Sequence, residues 1–181
     1  MCIRDSTDGS YHHYLAQMNN AGALCHNKVR DIFQDSNNSL WVATDNGLCL
    51  WQEAENQFSV YRHEPENPYS LSDNRTISLF EDDGGVMWLG TFGGINKWVR
   101  SGFSHYQHIP DKLHSLSSNV ITSFAQQGDT LWIGSYDGLN RLDLITDVVH
   151  QVPEESEFIG DRRIMSLHVS RQGDLWVGTR G

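Results

Sequence analysis

Chemistry needs particular side chains at particular spacings, and this chain offers few such groupings. Its 181 residues contain no His-Glu-x-x-His zinc pair, no Gly-rich phosphate loop ending in Lys, and no Gly-x-Ser-x-Gly elbow. Gly134-Ser135 falls inside a recurring strand, so Ser135 reads as a small core or turn residue. Asp35, Asn37 and Ser39 have the alternate spacing of a calcium loop but lack its central glycine and distal glutamate, and a polar hairpin is expected there. His12 and His13 would point to opposite faces of a strand and so make a poor pair of ligands for one ion. Glu154, Glu155 and Glu157 read as a solvated loop run. Cys2, Cys25 and Cys49 are odd in number and show no Cys-x-x-Cys spacing. Neither a disulfide nor a metal framework is expected from them, and they read as small buried or turn residues. No catalytic residue, no metal and no cofactor is predicted.

The grouping best suited to holding a ligand is spread along the chain. Asn27, Arg75, Asn119 and Arg162 each stand two residues before an apolar strand start, at Val29, Ile77, Ile121 and Ile164. All four hydrogen-bond through their side chains, and Arg grips a carboxylate or sulfate with two parallel donors. The competing reading is that they satisfy loop backbone groups at strand entries.

What positions them is an internal repeat. Leu40-Trp41-Val42-Ala43-Thr44 returns as Met87-Trp88-Leu89-Gly90-Thr91, Leu131-Trp132-Ile133-Gly134-Ser135 and Leu175-Trp176-Val177-Gly178-Thr179. The period is roughly 45 residues, one supersecondary unit. A strand precedes each Trp strand, separated from it by turns such as Asp82-Asp83-Gly84-Gly85 and Gln127-Gly128-Asp129. A third strand comes after Asp45-Asn46-Gly47, Phe92-Gly93-Gly94 or Tyr136-Asp137-Gly138. A fourth, Phe58 to Tyr61 or Phe103 to Tyr106, closes the unit, and a proline-bearing linker with a Ser-Leu-Ser step leads onward.

Four short strands per unit, in tandem, predict an all-β protein: a β-propeller fragment of tandem four-stranded antiparallel blades, about four of a larger ring. The expected organisation is a non-repeat start at 1–7 and the closing strand of a preceding blade at 8–14. Blades then occupy 15–61, 62–106 and 107–152, with an incomplete blade at 153–181. Trp41, Trp88, Trp132 and Trp176 are expected at equivalent buried positions as the structural repeat core, with Trp132 among the most sensitive. An open arc of this kind is expected to self-associate through its end faces. The net charge of −10, with no basic run, argues against nucleic acid. No apolar stretch is long enough for a membrane span.

The pattern Ile121-x-x-Phe124, Gly128-Asp129-x-Leu131-Trp132-Ile133-Gly134-Ser135 and Gly138-Leu139-Asn140-Arg141-Leu142-Asp143 resembles the two-component regulator propeller repeat. The linker His108-x-Pro110 running to Ser115-Leu116-Ser117-Ser118-Asn119 resembles it too, and the likeness covers residues 8–181. Ala43 in place of glycine, and Ser39 before the Leu-Trp pair, are departures. The resemblance implies a periplasmic sensor region, commonly two seven-bladed propellers. Such regions lie ahead of a membrane span and a histidine kinase, a response-regulator output or a diguanylate cyclase. It implies a small-molecule or oligosaccharide ligand, signal relay to an output domain, and allows a receptor dimer. A propeller enzyme of lyase type is the alternative. Streptogramin lyases, however, repeat a Trp-Phe-Thr-Glu strand, whereas here Trp is followed by Val, Ile or Leu, a small residue, then Thr or Ser. A protein-binding scaffold is the third reading.

Overall fold

The computed structural model describes residues 2–5, 11–17, 20–99, 102–153 and 162–181. Strands β1 (Cys2–Asp5) and β2 (Tyr11–Tyr14) pair antiparallel, so β2 has a partner that the repeat pattern did not announce. The first four-stranded sheet is β3 (Val29–Gln34), β4 (Leu40–Thr44), β5 (Gly47–Gln52) and β6 (Gln57–Tyr61), neighbours in chain order. The second is β7 (Thr76–Glu81), β8 (Met87–Thr91), β9 (Ile95–Val99) and β10 (Gly102–Tyr106). The third is β11 (Ile121–Gln127), β12 (Thr130–Ser135), β13 (Gly138–Asp143) and β14 (Val148–Gln151). A final pair, β15 (Ile164–Val169) and β16 (Leu175–Thr179), repeats the first two strands. Successive first strands pack on one another, β3 on β7, β7 on β11 and β11 on β15, which makes them the inner edge of a propeller arc. The Glu154, Glu155 and Glu157 run lies outside the described residues.

A bulge recurs near the start of every first hairpin: Val29 opposes Thr44 but Asp31 opposes Ala43, and the shift repeats at Thr76/Ser78, Ile121/Ser123 and Ile164/Ser166. In the last three units a serine faces a glycine. A Cβ on Gly134 would come within 2.5 Å of Ser123 Oγ and 2.6 Å of Ile164 in the next blade, so the glycine lets neighbouring sheets close up. The first blade solves the same packing differently. Ala43 fills the space, and the residue opposite is Asp31, whose carboxylate accepts the Leu79 backbone N–H of the next blade at 2.8 Å. The departure noted at Ala43 is thus one half of a paired change.

Burial pushes the Asp31 carboxyl up from its usual range, against the pull of the Leu79 and Ile32 N–H groups. A carboxyl whose folded pKa is raised penalises the fold when ionised, and the penalty fades as pH falls through that folded value. Asp31→Asn keeps an acceptor for Leu79, gives up the one for the N–H of exposed Ile32, which water can serve, and removes the charge. Its melting temperature should therefore exceed that of the parent at pH 7, by a few degrees at most. The gain should vanish at a pH below the unfolded-state value of the carboxyl. An equal gain at both pH values in parallel thermal melts would contradict this account.

The tryptophans occupy the same rung of each hairpin, opposite Phe33, Phe80, Ala125 and His168. Their burial is graded rather than uniform. Trp41 is 5% exposed and Trp88 fully buried, Trp132 is half-buried, and Trp176 is 66% exposed. The cover of each ring comes from the next blade along the arc. Trp41 packs on Trp98 of the second sheet at 5.5 Å, and Trp88 joins a cluster with Leu131, Leu142 and Val149 of the third. Trp132 meets a neighbour of two strands, and among the described residues no sheet lies beyond that of Trp176.

The Asp35–Ser39 turn is the expected polar hairpin. One Asp35 oxygen accepts the N–H groups of Asn37 and Ser39, and the other accepts the Trp41 indole N–H at 2.8 Å. Asp82 repeats the arrangement with Gly84, Val86 and Trp88. Among the described residues no group of three metal-binding side chains forms.

The cysteine expectation needs correction: Cys25 and Cys49 form a disulfide. The repeat explains it. In the second blade Asn96, fully buried on the third strand, accepts the Ser72 N–H and donates to its hydroxyl, both at 2.8 Å. Asn140 and Ser117 do the same in the third. Cys25 stands where Ser72 and Ser117 stand, after the buried Leu24, Leu71 and Leu116, and Cys49 stands where the asparagines do. The first blade replaces a hydrogen-bonded pair with a covalent one, and the Cys25 N–H still points at Cys49 Sγ, 2.8 Å away.

Candidate functional site

Antiparallel pairing places the start of each first strand beside the end of the second, so all the blades present these ends at one mouth of the arc. Cross-blade bonds hold that mouth together: Gly47 N–H donates to Asn74 C=O at 2.6 Å, and Gly94 N–H to Asn119 C=O at 2.8 Å. The opposite mouth carries the first hairpin turns and is stitched separately. There the Ser36 hydroxyl donates to Glu81 at 2.7 Å, and Asp83 N–H to the Gln126 side chain at 2.8 Å.

The bulge register shifts one of the predicted residues. Thr76, not Ile77, corresponds to Val29, Ile121 and Ile164. The residues two earlier are therefore Asn27, Asn74, Asn119 and Arg162, and those one earlier are Lys28, Arg75, Val120 and Arg163. The carbonyls of this second set accept the N–H groups of Asp45, Phe92, Tyr136 and Arg180 at 3.0–3.2 Å, which confirms the alignment. The three asparagines share a structural task. Their side-chain oxygens accept the N–H of Ala16, His63 and His108, two residues past each closing strand, at 2.6–2.8 Å. They tie each linker to the strand it enters.

The two arginines do something else. Arg75 is exposed and holds its guanidinium 4.2 Å over the Phe92 ring. Arg162 pairs with Asp137 at 2.9 Å, both half-exposed. The four predicted residues thus share a mouth and divide between linker closure and solvent-facing charge. Sequence reading missed Lys28, Asn74, Arg163, Phe92 and Tyr136. The usable signal was the asparagine shared by Asn27-Lys28-Val29, Asn74-Arg75-Thr76 and Asn119-Val120-Ile121, which fixes the alignment without relying on the first apolar residue.

Together these side chains make a row along the mouth. Arg75 covers Phe92, Phe92 meets Tyr136 edge-on at 6.5 Å, and Arg163 lies 4.5 Å over Tyr136. In the first blade the matching positions hold an ion pair, Lys28 to Asp45 at 3.0 Å, which Arg30 joins at 2.5 Å. The hydrogen bond from Arg30 above all, helped by that from Lys28, holds the Asp45 carboxyl below its ordinary value against the upward push of burial. Flat aromatic surface with guanidinium groups beside it can make two kinds of contact: rings stack on planar or CH-rich faces, and Arg donors take anionic oxygens.

A family model for the two component regulator propeller matches residues 23–46, 70–93 and 115–137. The chain carries two-component regulator propeller repeats. Each matched segment of this repeat runs from the residue before the buried linker leucine, through the first strand, to the turn after the Trp strand. It therefore includes Asn27, Asn74 and Asn119 together with Phe92 and Tyr136.

Solved structures agree. The extracellular domain of a protein described as a hybrid two component system from B. thetaiotaomicron is 25% identical with a TM-score of 0.77, over 92% of this chain and 24% of its own. A second extracellular domain from B. thetaiotaomicron, of a described one component system, is 18% identical with a TM-score of 0.71, covering 97% of this chain and 27% of that one. A streptogramin B lyase shares the fold at 16% identity and a TM-score of 0.62, covering 98% and 54%. The chain spans about a quarter of the length of the two extracellular domains. No curated protein matches at a significant level. Among the described residues no helix is long and apolar enough to cross a membrane.

Proposed function

We propose that these propeller repeats are the ligand-sensing region of a bacterial signal-transduction receptor. They would take an oligosaccharide or similar small ligand at the mouth that carries the strand entries and relay its binding to a kinase or cyclase output domain. The observation that carries the reading is the Arg75–Phe92–Tyr136–Arg163 row, set on repeats of a regulator propeller. A periplasmic location goes with it. The likeness to extracellular domains supports this, and so does the Cys25–Cys49 disulfide, since such bonds persist in oxidising compartments. The region is read as a binder without catalysis of its own, because the lyase alternative rests on shared fold alone.

A thermal-shift screen of the chain against a library of oligosaccharides tests this. At least one sugar should raise the melting temperature, and Tyr136→Ala should abolish that shift while leaving the unliganded melt nearly unchanged. Sugars that stabilise parent and variant equally, or a library with no stabilising member, would count against the reading.

A further inference from the structure

We infer that the ligand of this mouth is an anion, an oligosaccharide carrying carboxylate or sulfate groups; the inference rests on the binding role proposed for the mouth. The chain is acidic, at −10 overall, yet among the described residues this mouth gathers Lys28, Arg75, Arg162, Arg163 and Arg180 at the strand entries and exits, against Asp45, Asp73 and Asp137. The opposite mouth instead displays Glu81, Asp83, Asp129 and Asp174 on its turns and strand ends, against Arg171. Such separation along the channel steers an anion toward one mouth and away from the other.

Local geometry gives the same answer. Arg75 is exposed with its guanidinium carbon 4.2 Å from the Phe92 ring centroid, and among the described residues its guanidinium makes no hydrogen bond or ion pair with protein. Its N–H donors are thus open to an anionic group, and a guanidinium can pair with two oxygens of one such group. Arg163 repeats the stacking on Tyr136, two blades along. A guanidinium therefore stands at each end of a two-ring aromatic strip. Sugar rings would lie on the strip, and an anionic group at either end would meet an arginine. A neutral sugar would use the rings and leave Arg75 without a counter-charge. The first blade, where Lys28 and Arg30 are both engaged by Asp45, marks the limit of the anion-binding row.

Titration calorimetry on the chain with trigalacturonate, a carrageenan tetrasaccharide and maltotriose tests this. Trigalacturonate supplies carboxylates, the carrageenan fragment sulfates, and maltotriose neither. One anionic sugar should bind, more weakly as salt rises, and maltotriose should not. Arg75→Gln and Arg163→Gln should each weaken binding at least tenfold, and Phe92→Ala should weaken it too. Binding of maltotriose that is lost in Phe92→Ala but unchanged in both arginine variants would overturn the anion and leave the site standing. Binding of any of the three that survives Phe92→Ala and Tyr136→Ala would remove the site and the anion together. Failure of both anionic sugars to bind would overturn the anion alone.

Discussion

Trp88→Ala should lower the unfolding free energy by about 3–5 kcal/mol, while the same change at Trp176 should alter it by less than about 0.5 kcal/mol. The two residues occupy one rung of one repeat, so local structure does not separate them. Packing does. Trp88 is fully buried against the third blade, and its indole N–H donates to Asp82 at 2.7 Å. Removing the ring opens a cavity and leaves a buried carboxylate short of one donor. Trp176 is mainly in solvent, so truncation there removes little contact. Trp132, with a half-built neighbour, should fall between them, which places it below the rank that its sequence position suggested. Urea denaturation of the three variants measures the order. Equal losses at Trp88 and Trp176 would mean that Trp176 is covered in solution, for instance by a second copy of the chain.

Loss of the Cys25–Cys49 bond should be the other large effect. Cys49→Ala should cost about 3 kcal/mol, the order expected for opening a loop of this size. The repeat also specifies a remedy. Cys25→Ser with Cys49→Asn restores the pair that Ser72–Asn96 and Ser117–Asn140 use, in which two hydrogen bonds of about 1 kcal/mol each recover roughly two-thirds of the loss. Stability of that double variant should be indifferent to reductant, whereas the parent should melt lower when reduced. A double variant no more stable than Cys49→Ala would show that the first blade does not accept the pairing of its neighbours.

The fold was legible because burial repeats. A Trp strand with small residues on one face, returning at a nearly fixed period, forces stacked sheets, and the turn residues between strands set their order. What stayed hidden lay in register and in covering. Cys25 and Cys49 gave no signal by their own spacing, but aligned against Ser72–Asn96 and Ser117–Asn140 they occupy a position where two side chains always meet. Arg75 entered the candidate site through an alignment on the first apolar residue, which the Thr76 bulge places one step off. Phe92 and Tyr136 were passed over because their recurring triplets read only as turns, and Arg163 because the count settled on the residue two before the strand. They come together only when three blades are set side by side. The exposure of Trp176 depends on the neighbour packed against its sheet, and identical local sequence does not encode that.

The most direct test of the proposed binding mouth is hydrogen–deuterium exchange of the chain with and without a bound anionic oligosaccharide. The account predicts slower exchange at residues 92–94 and 136–138, and at the strand entries 75–76 and 163–164, with the turns at 35–39 and 82–86 unchanged. Protection confined to those opposite turns, or to the outer strands β6, β10 and β14, would contradict it.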